Sequence, residues 1–368
     1  MAKIIVITSN IAPYRLRWCE ELARFYDVTI VYTKDHDYER DDRWLQKQSE
    51  YCRIIKLKND RDKYDALCPD VIGILKSDPE ALVIFDGYGP KTNLLGLLYC
   101  RLKGRFTYTN VDGYPLGEKN SPLKLKIKRY IISHLCTGFF CSSEATREHL
   151  IENGADPKNV HVHNFSSISR DAIISEPLSQ KQKMKIREEL GIESRKPIVI
   201  SVGAFIPRKR YEDLIEAVLN CKSDCELYLV GGKPTEAYLK LSADSDRVHY
   251  IDFVLPDQVY RYYQASDLFV LPSQTDVWGL VINEAMAEGL PIISSDHCVA
   301  AFGLVDGNGI IYETGNVREL TEAIDRCLDQ SSNRSMSKRS LEIIRNYTIE
   351  GMAERQLPWI REYFGNKA

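Results

Sequence analysis

The chain has 368 residues, 44% of them hydrophobic and 27% charged, with a formal net charge of −3. That length is long for a single hydrophobic core and predicts two domains, and the mild negative charge gives no reason to expect nucleic-acid binding. The ten cysteines are scattered, with neither a Cys-x-x-Cys pair nor the histidine partners of a zinc site, a pattern suited to free buried thiols in a reducing cytoplasm; no apolar run approaches the ~18 residues of a membrane span.

The first ten residues read as a short strand rather than a signal peptide, because the apolar run Ile4-Ile5-Val6-Ile7 spans only four positions. Apolar, β-rich runs follow in two series, at 3–9, 28–33, 81–85, 105–110, 137–143 and 160–165, then at 197–203, 226–232, 248–253, 268–273, 291–296 and 309–313. Amphipathic stretches alternate with them at 14–26, 93–102, 211–220, 257–265 and 317–328. Near-continuous apolar strands alternating with helices predict buried parallel sheets. Two such series in tandem predict an α/β chain of two doubly wound, Rossmann-like domains, with ligands at the carboxyl ends of the strands in the cleft between them. The periodicity breaks at 166–170, so residues 1–167 are expected to form the first domain and 168–346 the second, whose first helix covers 180–190. The tail at 347–368 is amphipathic and carries Trp359 and Tyr363.

The chemistry concentrates in Thr275-Asp276-Val277-Trp278-Gly279-Leu280-Val281-Ile282-Asn283-Glu284, followed by a helix that ends in Gly289-Leu290-Pro291-Ile292-Ile293. A glycine opening a helix lets backbone N–H groups, here of Gly279, Leu280 and Val281, come close to a phosphate. Asp276 and Glu284 repel phosphate but accept hydrogen bonds from sugar or ribose hydroxyls. A site for both phosphate and hydroxyls is a site for a sugar nucleotide.

This segment resembles the Glu-x7-Glu signature of family-four retaining glycosyltransferases of the GT-B fold, with Asp276 at the first Glu and Trp278 at the usual Phe. The resemblance extends to Ile200-Ser201-Val202-Gly203-Ala204-Phe205-Ile206-Pro207-Arg208-Lys209-Arg210, which is similar to the strand and loop of the family's diphosphate clamp. Lys209 matches its Lys; Ala204 replaces an Arg, and Arg208 or Arg210 is expected to compensate. A solvated basic turn is the plain reading of those three cations, but a basic cluster at a helix N-terminus opposes the dipole and favours a bound anion. Gly231-Gly232 and the loop containing Val254 match neighbouring turns, the latter beside the nucleotide base. The first half matches loosely. Where the family often has a histidine facing the donor sugar, Asp112 is the nearest polar substitute, and Asp112-Gly113 reads equally as a turn. Asn10 and Arg15 follow the first strand and are expected to face the acceptor side of the cleft, unless Arg15 only packs on its helix.

The resemblance implies a metal-independent hexosyltransferase without cofactor, moving a sugar from a UDP- or GDP-type donor to a glycan or lipid-linked glycan, with retention and in surface-polysaccharide synthesis. In it Arg208 and Lys209 neutralise the departing diphosphate, Glu284 accepts from the ribose, Asp276 holds sugar hydroxyls, and the last helix crosses back to the first domain. An epimerase or phosphorylase of the same fold, or an inactive binding subunit, are the alternatives. Asp35-His36-Asp37 and Asp244-Ser245-Asp246 superficially resemble metal-binding Asp-x-Asp pairs but lie away from the signature, and His161-x-His163 reads as strand packing. The segment from Leu123 to Leu135 mixes cations with apolar residues: either a basic solvent face or a peripheral contact at the inner face of an anionic membrane.

Overall fold

The computed structural model describes residues 1–34, 48–58, 66–117 and 121–365. The first sheet contains β1 (Lys3–Thr8), β2 (Asp27–Tyr32), β3 (Arg53–Lys56), β4 (Leu82–Asp86), β5 (Thr107–Val111), β6 (Gly138–Cys141) and β7 (Val160–Val162), in the order β3-β2-β1-β4-β5-β6-β7. The second contains β8 (Ile198–Val202), β9 (Glu226–Val230), β10 (Val248–Ile251), β11 (Leu268–Leu271), β12 (Ile292–Ser295) and β13 (Gly309–Tyr312), in the order β10-β9-β8-β11-β12-β13. Among the described residues every ladder between these strands is parallel; Ile5, for instance, pairs with Thr29 on one side and Val83 on the other. In both sheets the winding reverses beside the first strand, between β1 and β4 and between β8 and β11, the switch point at which doubly wound sheets bind ligands.

Strands β5, β6, β8, β11 and β12 are buried at every position. Burial of both faces of these strands makes them read as continuous apolar runs rather than alternating ones. The edge strand β3 was not foreseen: Arg53-Ile54-Ile55-Lys56 is only half-buried and offers two apolar residues between two charges, the usual dress of an edge. One core gathers Ile5, Ile7, Val83, Phe85 and Leu97; the other gathers Val199, Leu214, Leu229, Val270 and Ile324.

The chain divides into two compact units, Met1–Tyr114 with Lys119–Ser167 and Thr348–Ala368, and Ile168–Tyr347 with Pro115–Glu118. The described residues 115–117, expected in the first domain, group with the second unit. The last helix, Ile349–Gly365, belongs to the first unit and packs on helix Pro13–Ala23. There the buried Trp18 indole N–H donates to Gln356 Oε1 at 2.8 Å.

Candidate functional site

In the second unit the site begins where β8 ends. Gly203 has φ 148° and its carbonyl accepts from the Tyr211 hydroxyl at 3.1 Å. Gly231, just past β9, lies so close to Gly203 that a Cβ there would run into its carbonyl oxygen. A short 3-10 turn, Pro207–Lys209, then leads through left-handed Arg210 (φ 48°) into helix Tyr211–Asn220. That turn aims two cations at one carboxylate: Lys209 Nζ donates to Asp276 Oδ2 at 2.8 Å, and the Arg208 guanidinium stands 3.7 Å from the same oxygen. The Gln274 N–H donates to the Arg208 carbonyl at 2.7 Å, tying the two loops together. Burial opposes the charge on Asp276, but Lys209, then Arg208 and the Trp278 N–H, hold its carboxyl below the usual range. The side chain of Lys209 is 9% exposed and that of Arg208 36%.

Arg210 does not join this cluster. Its guanidinium is paired with Asp213 at 2.6 and 3.0 Å and donates to Gln274 Oε1 at 3.0 Å. Glu212 and Asp213 occupy the first turn of the helix and already complement its dipole, so the dipole argument for a bound anion there does not hold. What gathers positive charge is the convergence of Lys209 and Arg208.

Asp276 is pinned by its backbone, its N–H donating to the His297 carbonyl at 3.0 Å and its carbonyl accepting from Val299 at 3.3 Å. Trp278 is buried, its indole N–H donating to Asn283 Oδ1 at 3.0 Å. Gly279 takes φ 96°, and a Cβ there would stand 2.7 Å from Cys298 Sγ and 3.0 Å from Leu271. Both the dihedral and the space demand glycine. Helix Leu280–Ala287 starts from it, with half-buried Leu280 and Val281 in the first turn, whose N–H groups the helix itself cannot satisfy. Glu284, one turn on, accepts from the buried Tyr263 hydroxyl at 3.1 Å. Val254 lies half-buried in the loop after β10.

In the first unit, Arg15 and Asp112, read separately in the sequence, meet. Arg15 NH2 contacts the two Asp112 oxygens at 3.1 and 2.9 Å and Asp86 Oδ1 at 2.7 Å. The Thr8 hydroxyl, at the end of β1, lies 2.9 Å from an Asp86 oxygen and 2.9 Å from the Asn10 carbonyl, and shares its one proton between them. Arg15 is 1% exposed, so it does not itself face open space as expected; it holds Asp112 and Asp86, the more open members. Burial, reinforced by the Asp112 charge, pushes Asp86 up despite Arg15 and the Thr8 hydroxyl. Asp86 escaped notice in the sequence, although an Asp-Gly pair directly after the apolar run 81–85 is the mark of a strand ending at a switch point.

The histidines of His161-x-His163 pack against the last helix: His161 stacks on Trp359 at 3.7 Å, and His163 Nδ1 lies 2.6 Å from Gln356 Nε2. Burial, then the nearby Arg15 charge, pushes His163 down to about 3, so it is neutral near pH 7. Among the described residues no group of three or more His, Cys, Asp and Glu side chains is arranged to hold a metal ion; residues 35–37 lie outside the described residues, and Asp244 and Asp246 are exposed. A cavity of about 780 Å³ opens in the first unit, lined by Tyr99, Phe106, Tyr108, His161, Trp359 and Tyr363 among others; none of the candidate residues lines it. Helix Pro122–Tyr130 has no buried residue, and Leu123 and Ile127 are 67% and 52% exposed.

Residues 182–342 match the family model described as glycosyl transferases group 1. The matched stretch, less than half of the chain, contains Gly203, Arg208, Lys209, Asp276, Gly279 and Glu284. Among curated proteins, the chain is 27% identical over 221 residues to a GDP-mannose-dependent monoacylated alpha-(1-6)-phosphatidylinositol monomannoside mannosyltransferase of Corynebacterium glutamicum, which covers 57% of this chain and 53% of that protein. The chain spans about half the length of the first curated relatives it matches. Among solved structures, the sucrose-phosphate synthase of Thermosynechococcus elongatus superposes with a TM-score of 0.79 over 100% of both chains at 19% identity. HepE of Anabaena, in complex with UDP-glucose, gives 0.75 over 98% of this chain and 100% of that one at 17% identity. At those identities the likeness establishes the fold alone: both parallel-sheet units are of the GT-B class.

Proposed function

We propose that the protein transfers a hexose-type residue from a UDP- or GDP-type sugar nucleotide to a glycan or lipid-linked glycan acceptor, with retention of configuration and without a metal. The observation that carries this reading is the meeting of Lys209 and Arg208 on Asp276 beside the N-terminus of helix Leu280–Ala287. Two cations converge on one carboxylate there, a geometry that a diphosphate would join as a second anion. First-turn N–H groups of the helix add to it. Lys209, Arg208 and the N–H groups of Gly279, Leu280 and Val281 would stabilise charge as it grows on the leaving diphosphate. Asp276, oriented by Lys209, would accept from sugar hydroxyls, and Glu284, oriented by Tyr263, from the ribose. Gly203 gives the diphosphate close access to the backbone, and the loop at Val254 lies by the base. In the first unit, Asp112, held by Arg15, and Asn10 would serve acceptor binding.

The C. glutamicum relative acts on a phosphatidylinositol mannoside, which supports a lipid-linked acceptor. The exposed helix Pro122–Tyr130, with Lys124, Lys126, Lys128 and Arg129 among exposed Leu123, Leu125 and Ile127, would then rest on an anionic membrane surface. The test is release of nucleoside diphosphate from a panel of UDP- and GDP-sugars, in the presence of EDTA, with and without glycan and polyprenyl-linked acceptors. Acceptor-dependent release supports transfer. Turnover without glycan acceptor points to an epimerase or phosphorylase, and binding without turnover to a binding subunit.

A further inference from the structure

At the amino end of β9, remote in the sheet from the site just described, two cysteines face each other. Helix Tyr211–Asn220 ends at Cys221, and Cys225 leads into the strand. Their Sγ atoms are 3.5 Å apart. Arg247, just before β10, spans the pair, its NH2 lying 3.4 Å from Cys221 Sγ and 3.7 Å from Cys225 Sγ. The guanidinium is anchored by the carbonyls of Cys225 at 2.9 Å and Ser223 at 3.2 Å, so its charge is fixed at the sulfurs. Of the carboxylates around this turn, Asp325 is held by the Ser223 hydroxyl and N–H and by the Lys222 N–H, and Asp224 is paired with Lys196 at 2.8 Å.

This environment is unlike that of the other thiols. Burial pushes Cys52 and Cys100 up to about 11, and Cys136, Cys141, Cys298 and Cys327 up to about 12. Cys221 alone among the described cysteines is drawn below the ordinary thiol range, by the Cys225 thiol and then, against burial, by Arg247. The Cys221 thiol shares its proton between the Val218 and Ser223 carbonyls at 3.1 and 3.2 Å; once that proton leaves, the fixed cation holds the thiolate with a second thiol in reach, as in resolvable cysteine pairs.

We propose that Cys221 and Cys225 form a peroxide-sensitive dithiol that closes to a disulfide, with Arg247 holding the attacking thiolate. The Cys221 thiolate attacks one oxygen of hydrogen peroxide. The S–O bond forms, the O–O bond breaks, and the departing hydroxide is protonated to water. Cys225 Sγ then attacks the Cys221 sulfur; the S–S bond forms, the S–O bond breaks, and hydroxide leaves with the Cys225 proton as a second water. Two thiols and one peroxide give one disulfide and two waters, with two electrons passing from sulfur to peroxide. Closing from 3.5 Å to a disulfide length of about 2.0 Å asks for a small adjustment in the turn 221–225.

The test exposes the full chain to graded hydrogen peroxide at pH 7, blocks free thiols by alkylation, and maps tryptic peptides without reduction. Cleavage after Lys222 separates peptides 211–222 and 223–240, which the disulfide would join. The joined pair should appear before any other cysteine is oxidised. Cys225→Ser should instead accumulate a sulfenic acid at Cys221 that dimedone traps. Arg247→Ala should slow pairing roughly three- to tenfold, and Arg247→Lys should recover part of that loss. The proposal is overturned if another cysteine oxidises first, if Cys225→Ser leaves Cys221 unmodified, or if both Arg247 variants pair at the wild-type rate.

Discussion

At the carboxyl ends of its strands the first unit gathers one cation and two carboxylates, Arg15 with Asp86 and Asp112. The second gathers two cations and one carboxylate, Arg208 and Lys209 with Asp276. The strand order around the two switch points is the same, so the sheets do not account for the difference; the side chains do. An excess of carboxylate accepts hydrogen bonds from hydroxyls and repels phosphate, whereas an excess of cation favours a diphosphate. Burial differs as well: the Arg15 side chain is 2% exposed and that of Arg208 36%. The first cluster is therefore built into the fold, and the second keeps a cation facing outward.

Arg15→Met should break the first cluster most severely. It leaves Asp86 and Asp112 without their shared cation in a buried place, at a cost of about 3–5 kcal/mol in urea denaturation, and adding Asp86→Asn and Asp112→Asn should recover most of it. Loss below about 1 kcal/mol, the value of an exposed pair, would show that the cluster is not built into the fold. Lys209→Ala should act on turnover instead. Its kcat with a sugar nucleotide should fall roughly 10²–10³-fold, as for loss of one group that stabilises growing oxyanion charge, with a smaller change in KM. Unchanged kcat in the Lys209→Ala/Arg208→Ala double variant would remove the functional half of the contrast.

Gly279→Ala sharpens the contrast from the backbone side. Strain at φ 96° and collision with Cys298 Sγ should cost roughly 2–3 kcal/mol, and Cys298→Ala in the same chain should return only the collision part. Glu288 provides a carboxylate buried without a cation: burial pushes it up to about 7, opposed only by its hydrogen bond from Gln264. The folded state then binds its proton more tightly than the unfolded state. Stability from this group is present below the unfolded value of 4.5 and is lost as pH rises to about 7. Glu288→Gln should flatten that slope and stabilise the protein above pH 7 by on the order of 2 kcal/mol; an unchanged pH profile in thermal unfolding would contradict it.

Much of the fold was legible because buried parallel strands are long apolar runs, as at 198–202 and 268–271. Strand β3 was not, since an edge strand with charges at both ends lacks that signal. The second unit's site was readable because its parts are contiguous, the turn 207–209 and the run 276–284. The bond between Lys209 and Asp276 joins residues 67 positions apart, and no local pattern records it. The first unit's cluster is drawn from positions 15, 86 and 112 on three separate segments. Two of the three stood out singly, but their pairing is tertiary and invisible to spacing.

The central claim is that Arg208 and Lys209, the cations converging on Asp276 in the second unit, bind the donor's diphosphate. Calorimetric titration of UDP and GDP into the wild type, the Arg208→Ala/Lys209→Ala variant and Asp112→Asn tests it most directly. One of the two nucleotides should bind the wild type at a single site, bind the double variant at least tenfold more weakly, and bind Asp112→Asn as it binds the wild type. Equal affinity for wild type and a folded double variant, or a loss confined to Asp112→Asn, would contradict the account.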